Sequence, residues 1–96
     1  MRHPNLADKG DACLVVVDMQ QPFLNVMFDR ETVVQNVRRL AEAAKILSLP
    51  MIATTQNSER MGNTVNEVQE VIGDLIAIDK MSFSCCGSDE FNQAVT

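Results

Sequence analysis

Two charged residues stand at the ends of mostly apolar segments and could form an acid–base pair. Asp18 follows "CLVVV" (residues 13–17), and Lys80 follows "LIAID" (75–79). In open α/β sheets, functional groups gather at the carboxyl ends of the strands. If the two strands lie two places apart, their ends are separated by about 10 Å, most of which a lysine side chain can cover. Such a pair could take a proton from a nucleophile and stabilise the charge that results.

The sequence is equally consistent with purely structural roles for Asp18 and Lys80. An aspartate after a first strand also caps loops or forms Asx-turns. Asp79 and Lys80 could instead form a surface ion pair, which contributes little to stability. The spacing alone leaves the catalytic and the structural interpretation standing.

Three amide side chains are predicted near the same edge of the sheet. Gln20 follows Asp18 closely and could hydrogen-bond a substrate or brace the loop. Gln56 and Asn57 come at the end of the second apolar segment, "MIATT" (51–55). We include Gln20 and Gln56 among the candidate substrate-binding residues.

The three cysteines are interpreted as free thiols, and a reactive role stays open for Cys85 and Cys86. Their spacing matches neither a disulfide framework nor a zinc site. Cys13 begins an apolar strand and is predicted to lie in the core. Cys85 and Cys86 lie near Lys80 and before a helix start at Ser88, where a thiol pKa could be lowered. Adjacent cysteines more often pack as small hydrophobic groups, and a vicinal disulfide would be strained.

Composition excludes several classes of partner. The formal net charge is -5, whereas phosphate contacts with nucleic acid need a clustered basic surface. The adjacent pair Arg38 and Arg39 is predicted to form a solvated helix face. Neither a bilayer-spanning segment nor a signal peptide is apparent, so we expect a cytoplasmic protein with a small-molecule substrate. The single histidine, His3, argues against a metal site, and no cofactor is predicted.

The apolar pattern predicts three strands, at 13–17, 51–55 and 75–79. The first is a continuous β-branched run, which indicates burial on both faces in a parallel sheet. Residues 18–29 and 56–63 are predicted loops.

Helices are predicted between and after these strands. Apolar residues recur every three or four positions over 31–47, with Asp29 as the N-cap. Thr64 and Glu67 have capping-box spacing before a short helix that Gly73 ends. A last helix is predicted to begin at Ser88.

The order β-α-β-α-β-α predicts parallel strands with right-handed connections. The expected class is α/β, the N-terminal half of a three-layer doubly wound parallel sheet. Residues 1–11 are predicted to be a tail and 12–96 a partial domain, because the last helix runs only about two turns before Thr96.

Three segments together resemble one known family. "LVVVDMQQPF", "TTQNSERMGNTVNEV" and "IDKMSFSCCGSDEF" are similar to the isochorismatase-like cysteine hydrolases, and lie closest to the metal-independent branch. The resemblance implies a Rossmann-like sheet of six parallel strands ordered 3-2-1-4-5-6. It also implies that no metal is bound, since "TTQNSERMG" lacks the histidines of the nicotinamidase branch.

The same resemblance assigns roles to individual residues. It implies an Asp-Lys-Cys triad in which Asp18 is the general base and Lys80 orients the triad and stabilises negative charge. The substrate would be a small amide or related electrophile, and Phe23 would wall its pocket or anchor the loop. In the family the nucleophilic cysteine follows the fourth strand, so we expect it beyond this chain.

Three functional interpretations remain. The chain is part of a hydrolase, or it is a catalytically inactive truncated half-domain that only oligomerises. A phosphoacceptor receiver domain is disfavoured because Met19, not a second acid, follows Asp18. With strands four to six absent, the first strand would have a bare edge, which predicts a homo-oligomer, strand swapping or poor folding.

Overall fold

The computed structural model describes residues 10–96, and most of the predicted tail, including His3, lies outside these residues. Three parallel strands form one sheet in the order β1-β2-β3. They are β1 (Leu14–Val17), β2 (Met51–Gln56) and β3 (Ile78–Lys80). The predicted α/β class with parallel strands is confirmed.

The helices of the described chain alternate with these strands. They are α1 (Gln21–Leu24), α2 (Arg30–Ile46), α3 (Ser58–Met61), α4 (Asn66–Ile72) and α5 (Asp89–Val95), with a 3-10 turn at Cys85–Gly87. The prediction that 18–29 and 56–63 are loops is therefore wrong in part, since α1 and α3 lie within them. Pro22 sits in the first turn of α1, where its missing N–H costs nothing. Among residues 10–96, no helix has the length and apolar character to cross a membrane.

Local capping signals set several helix ends as predicted. The Asp29 side chain accepts a hydrogen bond from the Thr32 N–H at the start of α2. Ser88 accepts one from the Phe91 N–H at the start of α5. Gly73 ends α4 with φ of 65°, a left-handed conformation that favours glycine.

The capping box predicted for α4 does not form. The helix begins at Asn66 with Val65 at the N-cap and without a side-chain cap. Instead, Glu67 pairs with Arg30 of α2, at 3.1 Å between Oε2 and Nη2. Contact with the neighbouring helix thus replaces the local cap that Thr64 and Glu67 would have made.

The third strand starts later than predicted. Residues 75–77 precede it, and its pairing with β2 is confined to Thr54–Gln56 opposite Ile78–Lys80. Lys80 is consequently the last residue of the strand, not the residue after it.

One face of the sheet forms the core with α2 and α4. Val16 and Ala53 are register partners in β1 and β2, and both are buried. They belong to one apolar cluster with residues of the two helices, among them Val34, Ala41 and Val68.

The first strand is less buried than its sequence predicted. Only Val16 of β1 is buried, and Val17 is 48% exposed. Cys13, predicted to lie in the core, is exposed and precedes the strand. Both predictions are wrong for one reason: among the described residues β1 pairs only with β2, which leaves its other edge open.

The predicted solvated face of Arg38 and Arg39 is confirmed for Arg39, which is exposed, and is wrong for Arg38. Its guanidinium donates hydrogen bonds to the Glu67 carbonyl and, at 3.2 Å, to the Glu70 carboxylate. Arg38 therefore ties α2 to α4.

Candidate active site

Asp18 and Lys80 meet at the carboxyl end of the sheet. Lys80 Nζ lies 2.9 Å from Asp18 Oδ2, across the end of the intervening strand β2. The Lys80 side chain is 0% exposed and that of Asp18 is 18% exposed. The two groups therefore form an ion pair in which the Asp18 side chain is partly exposed to solvent and the Lys80 side chain is not.

The backbone at Asp18 turns sharply where β1 ends. Asp18 N–H still donates to the Thr54 carbonyl at 3.0 Å, continuing the ladder, while Gln20 N–H donates to the Asp18 carbonyl at 2.8 Å. The φ angle of Asp18 is 51°, in the left-handed region that aspartate tolerates better than most residues. Uncommon backbone conformations of this kind cluster at functional sites.

A threonine that the sequence analysis did not single out holds the other carboxylate oxygen. Thr54 Oγ1 donates to Asp18 Oδ1 at 3.0 Å, and Thr54 is buried. The register explains the contact, since Thr54 is the β2 partner of Val17, the residue before Asp18. The sequence alone held only a weak signal, a polar pair at the end of an apolar strand.

The Lys80 ammonium has more acceptors than protons. Besides Asp18 it donates to Gln56 Oε1 at 3.0 Å and to the carbonyls of Phe83 at 3.1 Å and Ser82 at 3.2 Å. Four oxygens thus surround a group with three protons. They hold the charge of Lys80 in place and attach the segment after β3 to the site.

Gln20 and Gln56 lie next to each other in this site, and Phe23 is set apart from them. Gln20 is fully buried, and its amide bonds the backbone of Gln56. Phe23 lies in α1, half-buried, and is not part of the core cluster. The structure therefore places Gln20 and Gln56 in the bonded network around Lys80, whereas Phe23 is tied to it only through its backbone N–H, which donates to the Gln20 carbonyl.

Asp79 faces away from Lys80. Successive strand residues point to opposite faces, and Asp79 Oδ1 accepts hydrogen bonds from Ser58 N and Thr55 Oγ1, each at 2.8 Å. These bonds, the Ser58 N–H first, hold the pKa of Asp79 below its usual value. The suggested surface pair of Asp79 with Lys80 does not form.

The paired cysteines lie in the 3-10 turn after β3. Cys85 is half-buried and Cys86 is exposed, and all three cysteines are free thiols. Within residues 10–96, no group of three potential metal ligands occurs.

The arrangement suits proton transfer. A carboxylate held by an ammonium and a hydroxyl, and still open to solvent on one side, can accept a proton from a nucleophile. Lys80 is a buried cation beside this carboxylate, and a cation held in such a place can stabilise negative charge that develops nearby.

Comparison with known families identifies one match for most of the chain. The profile of the isochorismatase domain matches residues 12–96. The chain is 38% identical over 74 residues to the secreted isochorismatase effector Isc1 of Phytophthora sojae, covering 74% of this chain and 35% of that protein. It is 40% identical over 63 residues to isochorismatase domain-containing protein 2 of Danio rerio, covering 66% and 32%.

Solved structures of the same architecture superpose closely. The YcaC gene product of Escherichia coli, described as an octameric hydrolase of unknown specificity, matches with a TM-score of 0.85 and 27% identity, covering 99% of this chain and 48% of that one. The MAR1 ribonuclease of Caenorhabditis elegans matches with a TM-score of 0.82 and 29% identity, covering 92% and 46%. The chain thus spans about a third of these curated relatives and about half of these structures.

Proposed function

The chain belongs to the isochorismatase family, and from this premise we propose that residues 12–96 supply the acid–base part of a hydrolytic active site. Asp18 is the general base, and Lys80 orients it and stabilises negative charge. The substrate is a small amide or a related electrophile, and the nucleophilic cysteine lies beyond this chain. The observation that carries the proposal is the 2.9 Å contact between Asp18 and Lys80 at the carboxyl end of the sheet.

The chemistry proceeds in two stages. Asp18 takes the thiol proton, and the thiolate attacks the carbonyl carbon of the amide. The carbon–nitrogen bond then breaks, and the proton returns through Asp18 to the leaving amine. Asp18 next takes a proton from water, whose oxygen attacks the thioester carbon. The carbon–sulfur bond then breaks to release the acid, and Asp18 returns the proton to the thiolate. Lys80 takes no part in these proton transfers and keeps Asp18 in place.

Phe23 remains the candidate for substrate contact. It lies half-buried in the four-residue helix α1, which follows Asp18 and Gln20. An aromatic ring at this position would form an apolar wall beside the polar pair. The side-chain amides of Gln20 and Gln56 already bond other protein groups.

The net charge of the chain favours a small-molecule substrate over a nucleic acid, and its free thiols favour a reducing compartment. The net charge of -5 disfavours RNA, although one structural neighbour is named a ribonuclease. Three free thiols are typical of the cytoplasm, although one relative is named as secreted. We therefore propose a cytoplasmic hydrolase of small molecules and include RNA cleavage in the test.

The test isolates the tagged chain under native conditions from the cells that produce it, so that bound partners remain. Ammonia release is measured on a panel of small amides, with RNA cleavage measured in parallel. We expect amide hydrolysis that iodoacetamide inhibits and that Asp18→Asn and Lys80→Met lower by about 10²-fold or more. The charge-matched controls Asp74→Asn and Lys45→Met keep the activity. Absence of hydrolysis, or hydrolysis unaffected by Asp18→Asn, contradicts the proposal.

A second candidate, a half-domain that only self-associates, is favoured by the open edge of β1. Leu14 and Asp18 donate their N–H groups towards β2, so the backbone groups of Val15 and Val17 point the other way. An apolar cavity of about 220 Å³ runs along this edge, between β1 and the α2 residues Val37 and Leu40. Such an edge favours pairing with another strand.

Sedimentation analysis tests the second candidate. We expect the chain to form a dimer or larger species, and Val17→Lys to shift it towards monomer because a charge disfavours edge pairing. Ile46→Lys, at an exposed position on α2, is the control. A monomeric chain with a cooperative thermal transition contradicts self-association through β1.

A further inference from the structure

We propose that Gln20 and Gln56 are positioning residues: Gln20 fixes the end of β2, and Gln56 holds the Lys80 ammonium against Asp18. The inference deepens the proposed function, since it concerns the same acid–base pair. It replaces a substrate-binding role for both glutamines, and it rests on a chain of hydrogen bonds from α1 to the end of β3.

The first link is the buried amide of Gln20. Its Oε1 accepts from Gln56 N–H at 2.7 Å, and its Nε2 donates to the Gln56 carbonyl at 3.0 Å and to the Gly62 carbonyl at 2.7 Å. One side chain thus bonds both backbone groups of a single residue, as a neighbouring strand would. Gln20 itself is 0% exposed, and loss of its amide would remove a hydrogen-bond partner from the Gln56 N–H and from the Gln56 and Gly62 carbonyls.

The second link is the side chain of Gln56, whose orientation is determined at both ends. Nε2 donates to the Met81 carbonyl at 2.9 Å, and Oε1 accepts from Lys80 Nζ at 3.0 Å. A flipped amide would place its NH₂ group against an ammonium and its oxygen against a carbonyl. The oxygen of Gln56 is therefore a fixed acceptor for Lys80.

The third link is the ammonium itself. Lys80 Nζ lies within 3.2 Å of four oxygens, from Asp18, Gln56, Ser82 and Phe83. Since Gln56 and Asp18 come from different strands, together they fix the ammonium between the ends of β1 and β2. The Asp18 carboxylate then presents its exposed side in one orientation, ready for proton transfer.

The test measures proton exchange of the Lys80 ammonium by lysine-selective ¹⁵N NMR on the full chain in its native assembly. Gln56→Leu removes the acceptor, and Gln56→Asn, one methylene shorter, withdraws it while keeping an amide. We expect both to accelerate exchange about tenfold, the factor that accompanies loss of one hydrogen bond to a charged group. Gln56→Glu keeps an acceptor beside Lys80 and is expected to restore slow exchange. Gln35→Leu, at an exposed site on α2, is the matched control.

Gln20 is tested through Gln56. Gln20→Glu keeps the acceptor for the Gln56 N–H but loses both donors, so Lys80 exchange should rise. In a chain that already carries Gln56→Asn, Gln20→Glu should not accelerate Lys80 exchange further, because the hydrogen bond from Lys80 to the residue 56 amide is already lost. Fully additive effects would show that Gln20 does not act through Gln56.

Each outcome separates this inference from the proposed function. Unchanged exchange in Gln56→Asn, or an equal rise in Gln35→Leu, overturns the positioning role. If Gln56→Leu fails to fold, Gln56→Asn decides by the same criterion. Absence of amide hydrolysis, with the expected exchange rates, overturns the hydrolase proposal and leaves the positioning role standing.

Discussion

Thr54 and Thr55 are neighbours in β2, and their hydroxyl groups hold carboxylates on opposite faces of the sheet. Thr54 Oγ1 donates to Asp18 Oδ1 at 3.0 Å, and Thr55 Oγ1 donates to Asp79 Oδ1 at 2.8 Å. One face carries the contact of Asp18 with Lys80, and the other face carries the contact of Asp79 with the start of α3. Two adjacent residues of one type thus stabilise two different sites.

Removing each hydroxyl in turn should affect only its own carboxylate. Thr54→Val is expected to lower the free energy of unfolding by about 2 kcal/mol, because it removes a buried hydrogen bond to a charged group. Thr55→Val should cost less, since Asp79 is exposed. Carboxyl ¹³C NMR should show a change at Asp18 in the first variant and at Asp79 in the second. A change at both carboxyls in either variant would contradict the separation.

Lys80 should be the most costly side chain of the site to remove. Lys80→Met leaves a largely buried carboxylate unpaired and is expected to cost about 3–5 kcal/mol. Asp18→Asn should cost less, because three further oxygens still accept from Lys80. Urea unfolding at one protein concentration measures both. The control Lys45→Met loses only a bond to the Val71 carbonyl at an exposed site, about 1 kcal/mol; equal losses in both lysine variants would contradict the prediction.

Stability should fall in acid partly through Asp79. Hydrogen bonds from the Ser58 N–H and the Thr55 hydroxyl lower the pKa of Asp79 in the folded chain. A carboxyl with a lowered folded pKa contributes stability above its unfolded pKa, about 3.9, and loses it as the pH falls through the folded value. The free energy of unfolding, measured from pH 6 to pH 2.5, should therefore decline less steeply in Asp79→Asn. A wild-type slope in that variant would exclude this contribution.

Gly87 should be required for the close approach of the turn to Ser82. A Cβ atom at Gly87 would lie 2.6 Å from both Cβ and Oγ of Ser82, whose carbonyl accepts from Lys80. Gly87→Ala is expected to cost about 1–3 kcal/mol by overpacking and to alter the Lys80 NMR signal. Ser82→Gly in the same chain removes both clashing atoms and should restore the signal; failure to do so would place the effect elsewhere.

The alkylation rates of the Cys85 and Cys86 thiols should not depend on Asp18. If either thiol were the nucleophile that works with Asp18, Asp18→Asn would slow its alkylation, because the base that generates the thiolate would be lost. We expect each thiol to be alkylated by iodoacetamide at the same rate in the wild-type chain and in Asp18→Asn, as measured by peptide mass mapping. A selective loss of labelling at one thiol in Asp18→Asn would assign that thiol to the site.

Sequence reasoning predicted those features that depend on neighbours along the chain. The caps at Asp29 and Ser88 and the helix end at Gly73 follow from local hydrogen bonds and backbone conformation. It was wrong at Thr64, where an ion pair between Glu67 and Arg30 replaced the local cap. Such competition between local and distant partners leaves no trace in the spacing of residues.

The sequence by itself determined the order of the three strands and of α2, α4 and α5, though not α1 and α3. It also placed Asp18 and Lys80 near the ends of two strands, because apolar periodicity and turn residues act locally. Only the tertiary structure decided which atoms meet. The register of β1, β2 and β3 brings Thr54 to Asp18 and Gln56 to Lys80, and the open edge of β1 exposes Val17 and Cys13. Register and burial depend on which strands lie side by side, a property of the assembled sheet.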